Sequence, residues 1–256
     1  VDPDFVVEKL GAIAKAAHTS VINADDPNLL SLKLGNTADA VTLSTELRES
    51  SDAPRYALRF DNPEPHQGSE TISVGDPFVL SLGKSSIELK DKNIPHALNT
   101  ALALLAARNL VHFDLGVAQT VLNEQPGVFA RNELTEIDGR RVNLRLVQNP
   151  TSFQLNVDEL SAASSPLMLM AGSDIHDPSW LWTVDFGALK RVVIVSGSNA
   201  YDLALRLDYA GVEIGEVMPE ISEAKDSFLK LEGELPTILF SADSMRRLRR
   251  LTGLAK

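Results

Sequence analysis

The stretch Arg191-Val-Val-Ile-Val-Ser-Gly-Ser-Asn-Ala200-Tyr-Asp-Leu-Ala-Leu-Arg-Leu-Asp-Tyr-Ala210-Gly-Val-Glu-Ile-Gly-Glu-Val217 decides the fold. It reads as a strand over Arg191–Ser196, a helix over Ala200–Ala210 and a strand over Glu213–Val217. In the helix Ala200, Leu203, Ala204, Leu207 and Ala210 share one apolar stripe, with Asp202, Arg206 and Tyr209 on the other side. The i, i+4 spacing of Asp202 and Arg206 predicts a surface ion pair. The alternation continues in both directions. Upstream come a strand Arg141–Gln148, a helix Ser152–Ala163 and a strand Leu167–Ala171. Downstream come a helix Ser222–Leu231, a strand Thr237–Ser241 and a helix Ser244–Leu251. Strand–helix alternation of this kind predicts an α/β domain with a doubly wound, mainly parallel, Rossmann-like sheet of about five strands.

The first half has a different rhythm. Asp4–Ala17 carries Phe5, Leu10, Ile13, Ala14 and Ala17 as a helical stripe. A short strand Thr19–Asn23 follows, and Asp25-Asp26-Pro27 opens a helix expected to run through Leu34, with Pro near its first turn. Short strands are predicted over Ala40–Ser44, Tyr56–Phe60, Thr71–Val74, Phe78–Leu82 and Ser86–Leu89, with a breaker-rich loop at Asp61–Gly68. Ile94–Val111 predicts a long helix, and Asp114–Leu122 another with Asp114 as N-cap. Gln125-Pro126-Gly127 marks the boundary between a part spanning 1–129 and a part spanning 130–256.

The chain has 256 residues, with 24 basic against 35 acidic side chains for a net charge of −11. That balance argues against nucleic acid or an anionic membrane surface as the main partner. The absence of cysteine excludes disulfides and thiolate metal sites and fits a cytoplasmic protein; no metal ligand set is expected. No run approaches the ~18 consecutive apolar residues of a membrane span, since Asn99 and Thr100 interrupt Ala97–Ala107. The N-terminus lacks a basic-then-apolar secretory pattern. Val1 opens the chain where Met is usual, which suggests a fragment or a processed product.

One segment stands out for chemistry: Asp177-Pro-Ser-Trp180-Leu-Trp182-Thr-Val-Asp-Phe186, with both tryptophans of the protein, directly after the apolar run Pro166–Ala171. An acid, a proline and two amphipathic aromatics after a buried strand predict a shaped loop at a sheet edge, where functional residues concentrate. On the residues alone, Asp177 followed by Pro reads equally as the start of a turn. His176 reads as an exposed loop histidine, and Asp174 and Asp185 receive no role.

Asp177–Phe186 and Ser198–Val212 together resemble the C-terminal domain of the MurT subunit of lipid II isoglutaminyl synthase. That family has an acid-x-Ser-Trp-aliphatic-aromatic segment before a Tyr-Asp…Arg-Leu…Tyr-Ala-Gly helix. Asn199 departs from the Arg usual there. The first part is similar to the back half of a Mur-ligase central domain, through Val21-Ile-Asn-Ala-Asp-Asp-Pro27 and Pro95-His-Ala-Leu-Asn-Thr-Ala-Leu-Ala103. The former also reads as an Asx-type helix cap. Phe129-Ala-Arg-Asn-Glu133 resembles a Phe-Gly-Arg-x-Glu entry to the C-terminal domain, with Ala130 for Gly, and Gln148-Asn-Pro-Thr-Ser-Phe153 an Asn-Pro-x-x-Phe turn.

The resemblance implies that Asp177 projects to a GatD-like class I glutamine amidotransferase subunit and completes its Cys-His-Asp arrangement. It also implies that Asn99, Arg131 and His96 lie near bound ATP, His96 standing where the superfamily has Asn. The complete enzyme would use ATP and Mg²⁺ to amidate the α-carboxylate of D-Glu in lipid II. The phosphate-cradling Gly-x-x-x-x-Gly-Lys-Ser/Thr loop of such enzymes is absent from these residues and is expected upstream, so this chain alone is expected to be inactive. Gly83-Lys84-Ser85 imitates it, but Phe78 occupies the required first glycine position and the segment reads as a hairpin turn. The family's four-cysteine zinc ribbon has no counterpart. An alternative reading is a docking subunit that activates a glutaminase without using ATP. Direct amino-acid addition, as in other Mur ligases, is disfavoured because those enzymes lack the Asp-x-Ser-Trp segment.

Overall fold

A computed structural model of the chain describes residues 3–32, 34, 38–50, 60, 64–89, 94–112, 114–124, 131–160, 165–175 and 178–254. The chain divides into two compact units, Val1–Gln125 and Pro126–Lys256. No helix among the described residues is long and apolar enough to cross a membrane.

The first unit contains α1 (Pro3–Ala16), β1 (Ser20–Asn23), α2 (Pro27–Leu30), β2 (Ala38–Leu43), α3 (Thr45–Arg48), β3 (Glu70–Ser73), β4 (Val79–Leu82), β5 (Ser85–Glu88), α4 (Ile94–Leu110) and α5 (Leu115–Glu124). Strands β1, β2 and β3 pair in parallel, and β4 and β5 extend the sheet antiparallel. Helix α4 covers the sheet because Ile94, Ala97, Leu98, Ala101, Leu104 and Leu105 recur on one face. They meet Val41, Leu43, Ile72 and Leu80 in one core. The stripe of α1 is exposed instead, Phe5, Leu10 and Ile13 at 53%, 40% and 67%. Helix α2 ends at Leu30, four residues short of the expected Leu34. Of the predicted strand Tyr56–Phe60, residues 56–59 lie outside the described residues. Asp114 caps α5 as expected, its Oδ1 accepting from the backbone N–H groups of Gly116 and Val117.

The second unit contains β6 (Arg131–Ile137), β7 (Arg140–Leu146), α6 (Pro150–Leu160), β8 (Leu167–Met170), a 3₁₀ helix (Pro178–Thr183), β9 (Arg191–Ser196), α7 (Ala200–Tyr209), β10 (Glu213–Met218), α8 (Ile221–Phe228), β11 (Thr237–Phe240) and α9 (Ala242–Leu251). The sheet order is β10-β9-β8-β11-β7-β6. Its first five strands are parallel, as the alternation predicts. The sixth, β6, is an antiparallel edge strand that the sequence reading did not include.

Alternation within each strand builds two cores, one on each face. Leu167, Leu169, Val195 and Leu239 point into a core completed by Phe153, Val157, Leu181, Leu203 and Leu207. Met168, Met170, Ile194, Ile238 and Phe240 point into the other, with Ile221, Phe228, Met245 and Leu248. The sheet is thus covered on both sides, which is why its central strands read as unbroken apolar runs. From β8 the chain leaves toward the first face, and from the adjacent β11 it leaves into α9 on the second. Such a divergence opens a crevice at the carboxyl ends of the strands, where open α/β sheets place their ligands and functional loops.

Candidate functional site

The loop after β8 enters this crevice and is fastened from both neighbouring strands. Asp174 Oδ1 accepts from Ser241 Oγ at 2.6 Å and from Asp243 N–H at 3.1 Å, and Oδ2 accepts from Ala242 N–H at 3.0 Å. The carboxylate therefore caps α9, whose first N–H groups and positive dipole end favour an anion. Asp243 answers, its Oδ2 accepting from Ser173 Oγ at 3.0 Å. On the other side Asn199 Nδ2 donates to the carbonyls of Gly172, at 3.1 Å, and Ile175, at 2.9 Å.

Two glycines make room for this packing. At Gly172 a Cβ would lie 2.8 Å from Ser244 N. At Gly197, with φ +94°, it would lie 2.3 Å from the carbonyl oxygen of Ala171, so both the dihedral and the contact demand glycine. The loop is thus held up to Ile175, which is buried. His176 and Asp177 themselves lie outside the described residues.

The chain resumes at Pro178 as a 3₁₀ helix rather than an irregular loop, with Thr183 Oγ1 donating to the Trp180 carbonyl at 2.7 Å. The two tryptophans divide their work. Trp180 packs edge-on against Phe153, which in turn meets Phe186 edge-on at 5.1 Å. Phe153 is delivered by the Asn149-Pro150 turn, where Asn149 Oδ1 accepts from Ser152 N–H and Ser152 Oγ accepts from Gln148 N–H, capping α6. Trp182 faces outward against Tyr209, ring centroids 5.3 Å apart. The predicted Asp202–Arg206 ion pair does not form. Arg206 turns inward instead, donates to the Val184 carbonyl and lies 5.4 Å from the ring centroids of both Trp182 and Phe186. A guanidinium can stack on rings while meeting a carbonyl, and that outweighs a solvated pair worth a few tenths of a kcal/mol.

In the first unit, Asn23 Oδ1 accepts from Asp25 N–H and Asp26 Oδ1 from Asn28 N–H, the Asx and N-cap geometry open to those residues. Asp25 is a buried tie, accepting from Thr42 Oγ1, Leu43 N–H and Arg48. His96 and Asn99 are exposed on α4, three residues apart and so on one face. Arg131 opens β6, and its side chain lies outside the described residues. His96 and Asn99 belong to the first unit and Arg131 to the second.

Gly83-Lys84 is the two-residue turn between β4 and β5, and Gly83 N–H donates to Glu70 Oε2 at 3.0 Å. It is a hairpin turn, not a phosphate cradle. Among the described residues no group of three His, Asp or Glu side chains is placed to hold a metal ion. A cavity of about 640 Å³ lies at the other end of the second sheet, among Pro166, Leu167, Lys190, Arg191, Glu216 and Thr237. It is remote in position from the loop after β8, and parallel sheets of this kind carry function at their carboxyl ends.

Residues 146–240 match the MurT ligase C-terminal family. The match spans β8, the anchored loop, the 3₁₀ helix and α7. No curated protein matches the chain in sequence. Among solved structures, a pseudomurein peptide ligase type C from Methanothermus fervidus superposes with a TM-score of 0.63 at 16% identity, over 99% of this chain and 60% of its own. Folylpolyglutamate synthase from Thermotoga maritima gives 0.62 at 16%, over 100% and 60%. UDP-N-acetylmuramate-alanine ligase from Thermotoga maritima gives 0.61 at 14%, over 100% and 56%. At these identities the likeness is one of fold: a Mur-ligase-like arrangement, of which this chain spans a little over half the length.

From sequence Asp174 received no role and Asn199 was noted only as a departure from the family's Arg, while Ser241 and the glycines at 172 and 197 were not singled out. The signals were present: Gly-Ser-Asp directly after an apolar strand, and Ser241-Ala-Asp243 at a strand-to-helix junction with cap chemistry.

Proposed function

We propose that this chain is a subunit of an ATP- and glutamine-dependent ligase that amidates the α-carboxylate of D-Glu in the lipid II stem peptide, giving D-isoglutamine. The observation that carries the reading is the family match over residues 146–240, which encloses Asp177 and the Asn199 brace of its loop. Ammonia comes from glutamine at a GatD-like partner. With no cysteine, this chain cannot furnish the nucleophile, and its contribution is the third member of the partner's Cys-His-Asp set. Asp177 fixes the tautomer of the partner's histidine and balances the imidazolium as the thiolate forms. The loop is anchored as far as Ile175, two residues before Asp177 in the sequence.

ATP supplies the activation that a carboxylate needs before ammonia can displace an oxygen from it. His96, Asn99 and Arg131 are the candidates for contacts to the nucleoside. The described residues offer no phosphate cradle, so in this reading the phosphates and Mg²⁺ are held by a loop outside the 256 residues.

The test is glutamate release from glutamine by the reconstituted complex carrying Asp177→Asn. Loss of the orienting acid costs on the order of 10⁴ in rate in the serine-protease template, and a cysteine nucleophile depends on it less. A steep fall with the complex intact supports the assignment. Turnover within about twofold of wild type, ~0.4 kcal/mol in barrier, overturns it and leaves a docking role.

A further inference from the structure

We infer that the cavity at the amino ends of the second sheet is a binding site for a short apolar peptide with a free amino terminus. The site does not depend on the reaction proposed above.

The cavity follows from a short crossover. Helix α8 ends at Phe228 after eight residues, about 12 Å of helix, whereas β10 before it runs six residues, about 20 Å of strand. Ile221, Ala224 and Phe228 cover the part of the sheet face nearer the carboxyl ends. The rest is left to the loop that returns to β11, which presses on the start of β8: at Gly233, with φ +140°, a Cβ would lie 2.6 Å from Pro166 Cδ. Between this loop and the strands a space of about 640 Å³ opens, within the range of small-ligand sites.

Its walls are apolar. Leu160, Leu167, Leu189 and Ile194 are core residues that border it, and Val193 and Leu231 are half-buried there. Strand β10 contributes no side chain at Gly215, where a Cβ would lie 2.4 Å from the Val193 carbonyl oxygen. Water held against such walls is released when an apolar body enters.

Charge selects the occupant. Lys190, Glu216 and Glu232 border the cavity and are exposed, and none takes part in an ion pair or side-chain hydrogen bond found among the described residues. Arg191 is already paired with Glu213, at 3.3 Å. The uncompensated charges are thus two acids and one base, which favours a ligand whose ammonium meets an acid and whose carboxylate meets Lys190. Arg191 stands opposite Glu213 and Ile194 opposite Glu216, so Lys190 and Glu216 lie four residues apart along the strands, roughly 13 Å. The reach of their side chains shortens this toward the ~10 Å length of an extended tripeptide, and a single amino acid cannot span it.

Titration calorimetry of the 256-residue chain with the tripeptide Leu-Ala-Leu tests this. Its Kd should lie below about 1 mM. Acetylating the peptide's amine should raise Kd at least about tenfold, because both acids act on that end, and amidating its carboxylate about threefold. Glu216→Lys, at an exposed position, should weaken the free peptide about tenfold and bind the acetylated peptide better than wild type does. Leu231→Trp fills the cavity and should abolish binding, with circular dichroism reporting the fold. Glu223→Lys, exposed on α8 but not bordering the cavity, should have no effect.

No binding of Leu-Ala-Leu by the wild type up to about 10 mM overturns the site. Equal Kd for the free and acetylated peptides, or an unchanged Kd in Glu216→Lys, overturns the charge assignment and the proposal with it. Because neither a glutaminase nor ATP is present, none of these outcomes bears on the ligase reading.

Discussion

Asp174 Oδ1 accepts a hydrogen bond from Ser241 Oγ at 2.6 Å, which ties the loop leaving β8 to the residue that opens α9. Ser241 Oγ in turn accepts from Gly172 N–H at 2.8 Å, and its own backbone N–H donates to the Met170 carbonyl. The two strand ends therefore share one hydrogen-bonded junction two residues from the segment that holds Asp177.

Asp174→Ala removes the acceptor for two α9 backbone donors and the Ser241 hydroxyl. The expected loss is about 2 kcal/mol, the upper range for a helix cap, read as a lower urea midpoint. Limited proteolysis should cut first between Gly172 and Pro178. An unchanged midpoint would show that water replaces the cap without cost.

Gly197→Ala places a methyl group 2.3 Å from the Ala171 carbonyl at φ +94°. Neither the backbone contact nor the dihedral can relax alone, so a loss of about 3 kcal/mol or more is expected. Gly211→Ala, at φ +74° with open space around it, should lose only about 1 kcal/mol. Equal losses at the two sites would show that the dihedral alone matters.

ATP binding by residues 1–256 should be weak, with Kd no tighter than about 1 mM, roughly −4 kcal/mol. Most phosphate affinity in such sites comes from loop N–H groups and a lysine, and Gly83-Lys84 is spent on a hairpin. Micromolar binding by calorimetry would contradict this. Asn99→Ala would then show whether α4 contributes.

Lys225 lies between Asp138, at 2.5 Å, and Asp226, at 2.7 Å, and the hydrogen bond to Asp138 leads in holding its ammonium above the ordinary lysine value of 10.5. A raised folded-state value stabilises fully below 10.5 and loses that stability as pH rises through the folded value. Asp226 is held below its ordinary 3.8 by the Lys225 hydrogen bond, so its contribution is lost as pH falls through the folded value. Wild type and Lys225→Met should thus differ by a constant amount from pH 5 to 9 and converge above about pH 10.5 and below about pH 3.8. A difference that grows at high pH would refute the sign.

The parallel sheet was legible because Leu167–Met170, Ile194–Ser196 and Thr237–Phe240 are buried on both faces, which leaves apolar runs no other element explains. The α9 cap was legible in kind, as Ser241-Ala-Asp243, but its main acceptor was not. Asp174 is 67 residues from Ser241, and only adjacency of β8 and β11 brings them together. Arg206 was misread for the same reason: i, i+4 spacing within α7 is local, whereas the Val184 carbonyl and the Trp182 and Phe186 rings arrive from another element.

By itself the sequence determined the period of most elements, the cap at Asp114 and the hairpin at Gly83, all set by interactions within a few residues. Only the tertiary structure decided the strand order, the antiparallel β6, the anchoring of the loop before Asp177, and which apolar stripes are buried. The stripes of α1 and α7 show the limit most plainly. Periodicity marks Phe5, Leu10 and Ile13 as it marks Leu203 and Leu207, yet the former are exposed and the latter buried, because burial requires a facing surface and a helix cannot encode its partner's position.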